Sequence, residues 1–145
     1  MSAFDFRGRV AVITGGTSGI GRAAVQQFRA AGAQIVLTGQ DPSRVATAQR
    51  ELPDVLAVGA DARRVEDAVA LSRQIRTQHG RVDALFFNAG IFSFRPLGDL
   101  TEEYVDDMIG TNLKGLLCTL KELTPLISVP LLIASRLRHR VRLAC

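Results

Sequence analysis

Residues Val10 to Gly21 read Val-Ala-Val-Ile-Thr-Gly-Gly-Thr-Ser-Gly-Ile-Gly, an apolar run that ends in a glycine-rich turn. A helical pattern follows, with Ile20, Ala24, Phe28 and Ala31 on one face. A buried strand feeding such a turn, which then opens a helix, is a device for holding phosphate. Glycines let the backbone turn tightly and approach a ligand, and the free N–H groups and positive dipole end of the helix attract an anion. A glycine triplet alone is equally an ordinary tight turn. The strand before it and the helix after it are the context that marks a dinucleotide site.

Three further polar positions stand where apolar runs stop. Asp61 follows the run Val55 to Gly59, and one reading makes it a helix N-cap. Asn88-Ala89-Gly90 follows Val82 to Phe87, where Asn and Gly also suit a plain strand-end turn. Asn112 interrupts a stripe of Val105, Ile109, Leu116, Leu120 and Leu123, read here as the inward face of a long helix capped by Thr101. Its plain reading is a buried amide bonding to backbone at a bend near Gly110.

The elements that must position these residues alternate. After the first helix, which ends at Gly32, Ala33 to Thr38 is a second strand. Asp41 caps a helix with Pro42 at its first position, running to about Leu52 with Val45, Ala48 and Leu52 inward. Val55 to Gly59 is a third strand. A helix from about Val65 to His79 follows, with Val65, Ala68, Val69, Ser72 and Ile75 inward, and Val82 to Phe87 is a fourth strand. The strands are continuous apolar runs, as expected when helices cover both faces of a parallel sheet. The pattern predicts an α/β fold, a doubly wound parallel sheet that is incomplete at its C-terminal side.

The chain has 145 residues, 47% of them hydrophobic, which fits one globular domain with a real core. No signal-peptide pattern opens it, and the longest low-polarity run, Pro125 to Ala134, is too short to cross a bilayer. Cys118 and Cys145 lack metal-ligand spacing and read as free thiols in a reducing compartment, so the expected location is cytoplasmic and no membrane partner is expected. The net charge of +4 is local: Arg136, Arg138, Arg140 and Arg142 are four of 18 basic residues, and the remaining 14 match the 14 acids. A nucleic-acid partner is therefore disfavoured.

The glycine spacing Thr14-Gly15-x-x-x-Gly19-Ile20-Gly21 resembles the turn of the short-chain dehydrogenase/reductase family. Asp61-Ala62, Asn88-Ala89-Gly90 and Asn112 follow in the order that family uses, so the resemblance covers roughly residues 7–127. It implies a Rossmann-type domain and hydride exchange between NAD or NADP and a small-molecule alcohol or carbonyl. It further implies that Gly15, Gly19, Ile20 and Gly21 form the pyrophosphate turn, with Thr17 and Ser18 inside it. Asp61 and the backbone of Ala62 would read the adenine edge. Asn88, Ala89 and Gly90 would line the nicotinamide-side ribose and tie the fourth strand to Thr14. Asn112 resembles the helix asparagine that holds a water in the family's proton relay. Where an acid would bond the ribose 2′-hydroxyl, the chain has Gly39, then Gln40 and Asp41, and the missing acid leans the reading to NADP.

The resemblance then stops. Family members carry a serine after the fifth strand and a Tyr-x-x-x-Lys pair on the next helix. This chain has one tyrosine, Tyr104, with Met108 four residues on, and its lysines are Lys114 and Lys121. No Tyr-x-x-x-Lys can be written in it, and Tyr104 reads as an ordinary helix residue. Residues 1–128 are accordingly taken as the dinucleotide-binding domain and 129–145 as a divergent basic tail. Within that tail, Leu131 to Ala134 is either a fifth strand, which sets Ser135 near the family serine's place, or part of a segment with no folded role. Arg136 to Leu143 alternates with period two, the pattern either of a basic strand whose edge meets nucleic acid or an acidic partner, or of a tail never selected to fold. Synonymous codons for the ten residues from Arg136, shifted by one base, can instead encode Gly-Ser-Ala-Ile-Val-Ser-Ala-Ser-Pro, which is similar to the family's fifth strand and serine. The tail is expected to be frameshifted or truncated rather than native, and oligomerisation is left open.

Overall fold

The computed structural model describes residues 5–135, with side chains described through residue 127. Five parallel strands form one sheet in the order β3-β2-β1-β4-β5. They are β1 (Val10–Thr14), β2 (Gln34–Gly39), β3 (Leu56–Gly59), β4 (Val82–Phe87) and β5 (Ile127–Ser135). Between them run α1 (Gly19–Ala30), α2 (Pro42–Glu51), α3 (Val65–Gln78), α4 (Glu102–Ile109) and α5 (Gly115–Leu123).

Strand alternation sends neighbouring residues to opposite faces, and each face has its own helices. Ala11, Ile13, Ile35 and Leu37 pack with Val25 of α1 and with Ala48 and Leu52 at α2. Val10, Val12, Val36 and Val58 pack on the other face with Leu71 and Ile75 of α3 and Leu123 of α5. This is the doubly wound arrangement that the apolar runs predict. β1 is buried along its whole length. Each large apolar side chain it removes from water contributes about 1.5–3 kcal/mol before entropy is counted.

Local chemistry sets the element ends. Asp41 accepts from the Ser43 and Arg44 amides at the start of α2, with Pro42 in its first turn. Thr101 accepts from the Tyr104 amide and starts α4. Gly32 closes α1 with φ at +88°, a conformation that a side chain would strain. Strand register aligns the C-terminal ends: Gly39 stands beside Gly59, Thr14 beside Phe87, and Phe87 beside Ser135.

Several predicted faces are rotated. On α1 the predicted Ala24, Phe28 and Ala31 do pack against the core, but Ile20 is 59% exposed and the fully buried residues are Gly21 and Val25. In α3 the buried line is Ala68, Leu71, Ser72 and Ile75, so Leu71 takes the place expected for Val69. The long helix departs most. Gly110–Lys114 is a π-helical turn between α4 and α5, and its wider turn shifts the seam around the axis. Val105 and Ile109 consequently face outward, and the buried seam is Gly115, Thr119 and Leu123. β5 begins at Ile127 rather than Leu131, and its backbone does bring Ser135 to the C-terminal edge. The Ser135 side chain, Cys145 and the arginine-rich stretch from Arg136 lie outside what is described. Cys118 is a partly buried free thiol, and no helix among the described residues is long and apolar enough to cross a membrane.

Gly115 allows the seam to close, because a Cβ there would lie 2.7 Å from the Ala62 carbonyl oxygen. Gly115→Val should destabilise the chain by about 1–3 kcal/mol through overpacking, read as a lowered urea midpoint.

Candidate functional site

An open parallel sheet offers its crevice where strand order reverses, outside the carboxyl ends of the strands. Here that point lies between β1 and β4, whose neighbours run in opposite directions along the sheet. One cleft occupies this edge, lined by Thr14, Gly15, Gly39, Gln40, Asp61, Ala62, Ala89 and Gly90 among others. The cleft thus joins the start of the glycine turn, the end of β2, Asp61-Ala62 and Ala89-Gly90, while Thr17 to Gly21, Asn88 and Asn112 are not among its lining residues.

Thr14 joins the two central strands. Its buried Oγ1 accepts from the Asn88 and Ala89 amides, each at 3.0 Å. The Asn88 side-chain amide donates to the Gly15 carbonyl at 3.2 Å, while its Oδ1 is buried without a hydrogen-bond partner. On the β2 side, Gly16 N–H donates to the Thr38 carbonyl at 2.8 Å. The turn is thus fastened on both flanks before it enters α1.

The three motif glycines do different work. Gly15 has φ at +64°, and a Cβ on it would meet Ala89 backbone at 3.1 Å. Gly21 is a packing glycine: its Cβ would lie 2.0 Å from the Gly15 carbonyl oxygen. Only Gly19, with φ at +54°, would point a Cβ into open space. Gly21 thus lets α1 pack against the turn, since the chain itself fills the space beside it. Ser18 is the N-cap of α1 but makes no side-chain cap bond, and the first turn holds no acid. The helix start, with Ile20 at its lip, is thereby left as a cradle for an anion. Together, the open Gly19 position and the uncapped helix start fit a pyrophosphate.

Asp61 is not the helix N-cap; that position is Arg64. Its Oδ1 accepts from the Arg63 amide at 2.9 Å, and both oxygens receive the Arg63 guanidinium. Gln40 also donates to it at 3.1 Å. Arg63 reaches onward to Asp107 of α4 at 2.8 Å, so it clamps the loop after β3 to the long helix. The Arg63 hydrogen bonds hold the Asp61 carboxyl below the ordinary aspartate value, against the opposing effect of its partial burial. Sequence reasoning missed Arg63, whose partners come from two separate segments.

Asn112 bonds the Ile91 backbone in both directions, accepting from its N–H and donating to its carbonyl, each at 2.9 Å. A Cβ on Gly90 would lie 2.8 Å from the Asn112 Oδ1, so Gly90 permits this approach. The plain reading of an amide bonded to backbone at a bend describes this geometry. Tyr104 likewise ties down a loop, donating its hydroxyl to the Ser93 carbonyl under the Arg95 guanidinium.

These contacts generate two expectations. Gly19→Val should abolish dinucleotide binding with some strain of its own, because φ there is +54°, whereas Gly21→Val should lower the thermal midpoint further by driving a side chain into the Gly15 carbonyl. Calorimetric titration beside a melt separates the two. For the clamp, a depressed folded pKa means that its stabilisation is present above the unfolded aspartate value, about 3.9. It is lost as pH falls through the folded value. The stability gap between the chain and Asp61→Asn, read from urea midpoints, should be full at neutral pH and close in acid.

The arrangement has counterparts. The sequence model of the short chain dehydrogenase family matches residues 9–129. Oxidoreductase asL5 of Sarocladium schorii is 35% identical over 130 residues, covering 88% of this chain and 52% of that protein. The cis-2,3-dihydrobiphenyl-2,3-diol dehydrogenase of Paraburkholderia xenovorans is 34% identical over 136 residues, covering 90% and 47%. A solved short-chain dehydrogenase/reductase from Brucella melitensis, titled a glucose/ribitol dehydrogenase, superposes with a TM-score of 0.87 at 30% identity. That superposition covers 91% of this chain and 57% of the solved one. The chain thus spans about half the length of the curated relatives it matches. With the sheet order, the turn and the anchored 88–90 segment agreeing with a match of that extent, the chain belongs to the short chain dehydrogenase family.

Proposed function

We propose that these residues form the NAD(P)-binding half of an oxidoreductase that exchanges hydride with a small-molecule alcohol or carbonyl. The observation that carries this is the uncapped start of α1 at Gly19, four residues after Gly15, which lines one cleft with Asp61, Ala89 and Gly90. Thr17, Ser18, Gly19 and Ile20 hold the pyrophosphate on backbone N–H groups, while Gly15, whose N–H donates to the Thr38 hydroxyl at 3.4 Å, shapes the turn and Gly21 packs it. Asp61 and Ala62 meet the adenine, and Thr14 fixes Asn88, Ala89 and Gly90 beside the nicotinamide-side ribose. Bound there, the nicotinamide would supply the hydride acceptor or donor. Asn112 keeps the 88–91 segment in position through Ile91. The Paraburkholderia relative is named for dehydrogenating a diol, which supports a hydroxyl-bearing substrate.

NADP is favoured over NAD. Gly39 offers no carboxylate to a ribose 2′-hydroxyl, and Asp41 is engaged at the start of α2, where it accepts from Ser43 and Arg44.

A second reading, a noncatalytic dinucleotide-binding module, is favoured by one sequence fact: the 145 residues contain no Tyr-x-x-x-Lys. Hydride transfer to or from an alcohol needs a matched proton acceptor or donor. Ser135 alone, at the end of β5, does not supply one. We read residues 129–145 as a divergent segment that departs from the family pattern. The chain purified as written should bind NADP with no turnover of alcohols or ketones and melt below about 60 °C. A substrate panel with both cofactors, calorimetry and a thermal melt check this. Cofactor-dependent turnover would overturn it.

A further inference from the structure

The segment leaving β4 is exposed without a break from Ile91 to Leu100. Within it Phe92 is 78% exposed, Phe94 85% and Leu97 85%. The segment is nevertheless fastened. Asn112 holds both backbone groups of Ile91, Tyr104 donates its hydroxyl to the Ser93 carbonyl, and the Arg95 guanidinium stands 4.8 Å from the centre of the Tyr104 ring. Two phenylalanines are thus held in water on either side of an anchored Ser93, forgoing the free energy that their burial would return. A fixed apolar surface of this kind marks a docking face.

Acidic groups adjoin it. From Pro96 to Leu113 the chain has Asp99, Glu102, Glu103, Asp106 and Asp107, and no basic residue. Asp107 is held by Arg63, whereas the other four have no ion pair among the described residues. The dipole of α4 accounts for Glu102 and Glu103 in its first turn, but not for Asp99 and Asp106. Glu102 and Asp106 stand one turn apart on α4, next to Val105, which is 38% exposed. Apolar and anionic groups therefore lie side by side, and none of these acids lines the main cleft. A second copy of the chain is a poor occupant, because a two-fold contact sets the same carboxylates against one another. The face asks for an apolar partner that carries cations.

The chain itself contains one. β5 ends at Ser135 beside Phe87, so Arg136 leaves the sheet at the edge from which Asn88 sets out toward this face. Residues 136–145 carry Arg136, Arg138, Arg140 and Arg142 and no acid, interleaved with Leu137, Val141 and Leu143. A stretch of this length spans at most about 33–36 Å when extended. Its tether keeps it near the face at an effective concentration on the order of millimolar. We propose that residues 136–145 dock on this face of their own chain, with Leu137, Val141 and Leu143 covering Phe92, Phe94 and Leu97. The four arginines then meet the four unpaired carboxylates around the start of α4. Arginine suits this surface, because its stem covers apolar groups while its guanidinium pairs with a carboxylate. The acidic partner of the basic tail is internal.

Amide hydrogen exchange of the full chain, read at residues 92–106, tests this. Changing all four arginines together (R136Q, R138Q, R140Q and R142Q) should speed exchange there about fivefold or more, with β1 and α1 unchanged. Raising salt to about 0.5 M should speed the same residues in the unaltered chain, a readout that needs no variant to fold. Glu102→Lys with Asp106→Lys should open the face, and adding Arg138→Glu with Arg140→Glu should close it again. A synthetic peptide of residues 136–145 should slow exchange at 92–106 in the glutamine variant and leave the unaltered chain as it is. Exchange at 92–106 that ignores both the arginines and salt would overturn the docking. Protection that grows with protein concentration would also overturn it, by placing a second copy on the face. So would protection of residues 136–145 that arises only on adding a duplex oligonucleotide, which would make the tail a nucleic-acid segment.

Discussion

The site depends on a single buried hydroxyl. Thr14 ends β1 at the reversal of strand order, and its Oγ1 is the acceptor for two amides from the segment leaving β4. Without it, two N–H groups at the bottom of a cleft would lack partners, each at a cost of about 1–3 kcal/mol. From that junction the contacts run outward in sequence. Asn88 grips the Gly15 carbonyl, Gly15 bends with positive φ, and Gly21 of α1 packs against the same carbonyl. β4, β1, the turn and α1 are thereby locked in one geometry, so a ligand at the helix start meets a preorganised surface.

Charge at the cleft follows from the chain's own bonding. Asp41 is consumed by the start of α2 and Asp61 by the Arg63 chelate, so neither carboxylate stands free beside the turn. The helix dipole of α1 is therefore unopposed by acid in its first turn. The cost of this openness lies elsewhere. Phe92 and Phe94 are 78% and 85% exposed, and Val105, Ile109, Leu113 and Leu117 form an outward apolar line along α4 and α5. Apolar surface of this kind favours association and fits the modest stability expected of these residues.

Much of this was legible in sequence because it rests on local rules. Asp41-Pro42 marks the start of α2, Gly32 the end of α1, and Val82 to Phe87 coincides with β4. Continuous apolar runs identify strands covered on both faces, and they carry the fold class with them. What escaped the reading depends on tertiary contact. The π-helical turn at Gly110–Lys114 adds width that no 3.6-residue period contains, so Val105 and Ile109 point the wrong way for the pattern. Asp61 looked like a cap because its actual partners, Gln40 and the Arg63 side chain, are set by how two loops meet. Gly19 and Gly21 look alike in the motif, yet one faces open space and the other faces backbone.

The central claim is that the C-terminal edge of the sheet between β1 and β4 is a dinucleotide site. Amide hydrogen exchange with and without saturating NADP+ tests it most directly, because it reads position along the chain rather than affinity alone. Slower exchange is predicted across residues 15–21, around Asp61-Ala62 and across 88–91, with the outward line of α4 and α5 unchanged. Unaltered exchange at 15–21 and 88–91, or protection confined to the basic residues after Ser135, would contradict the account.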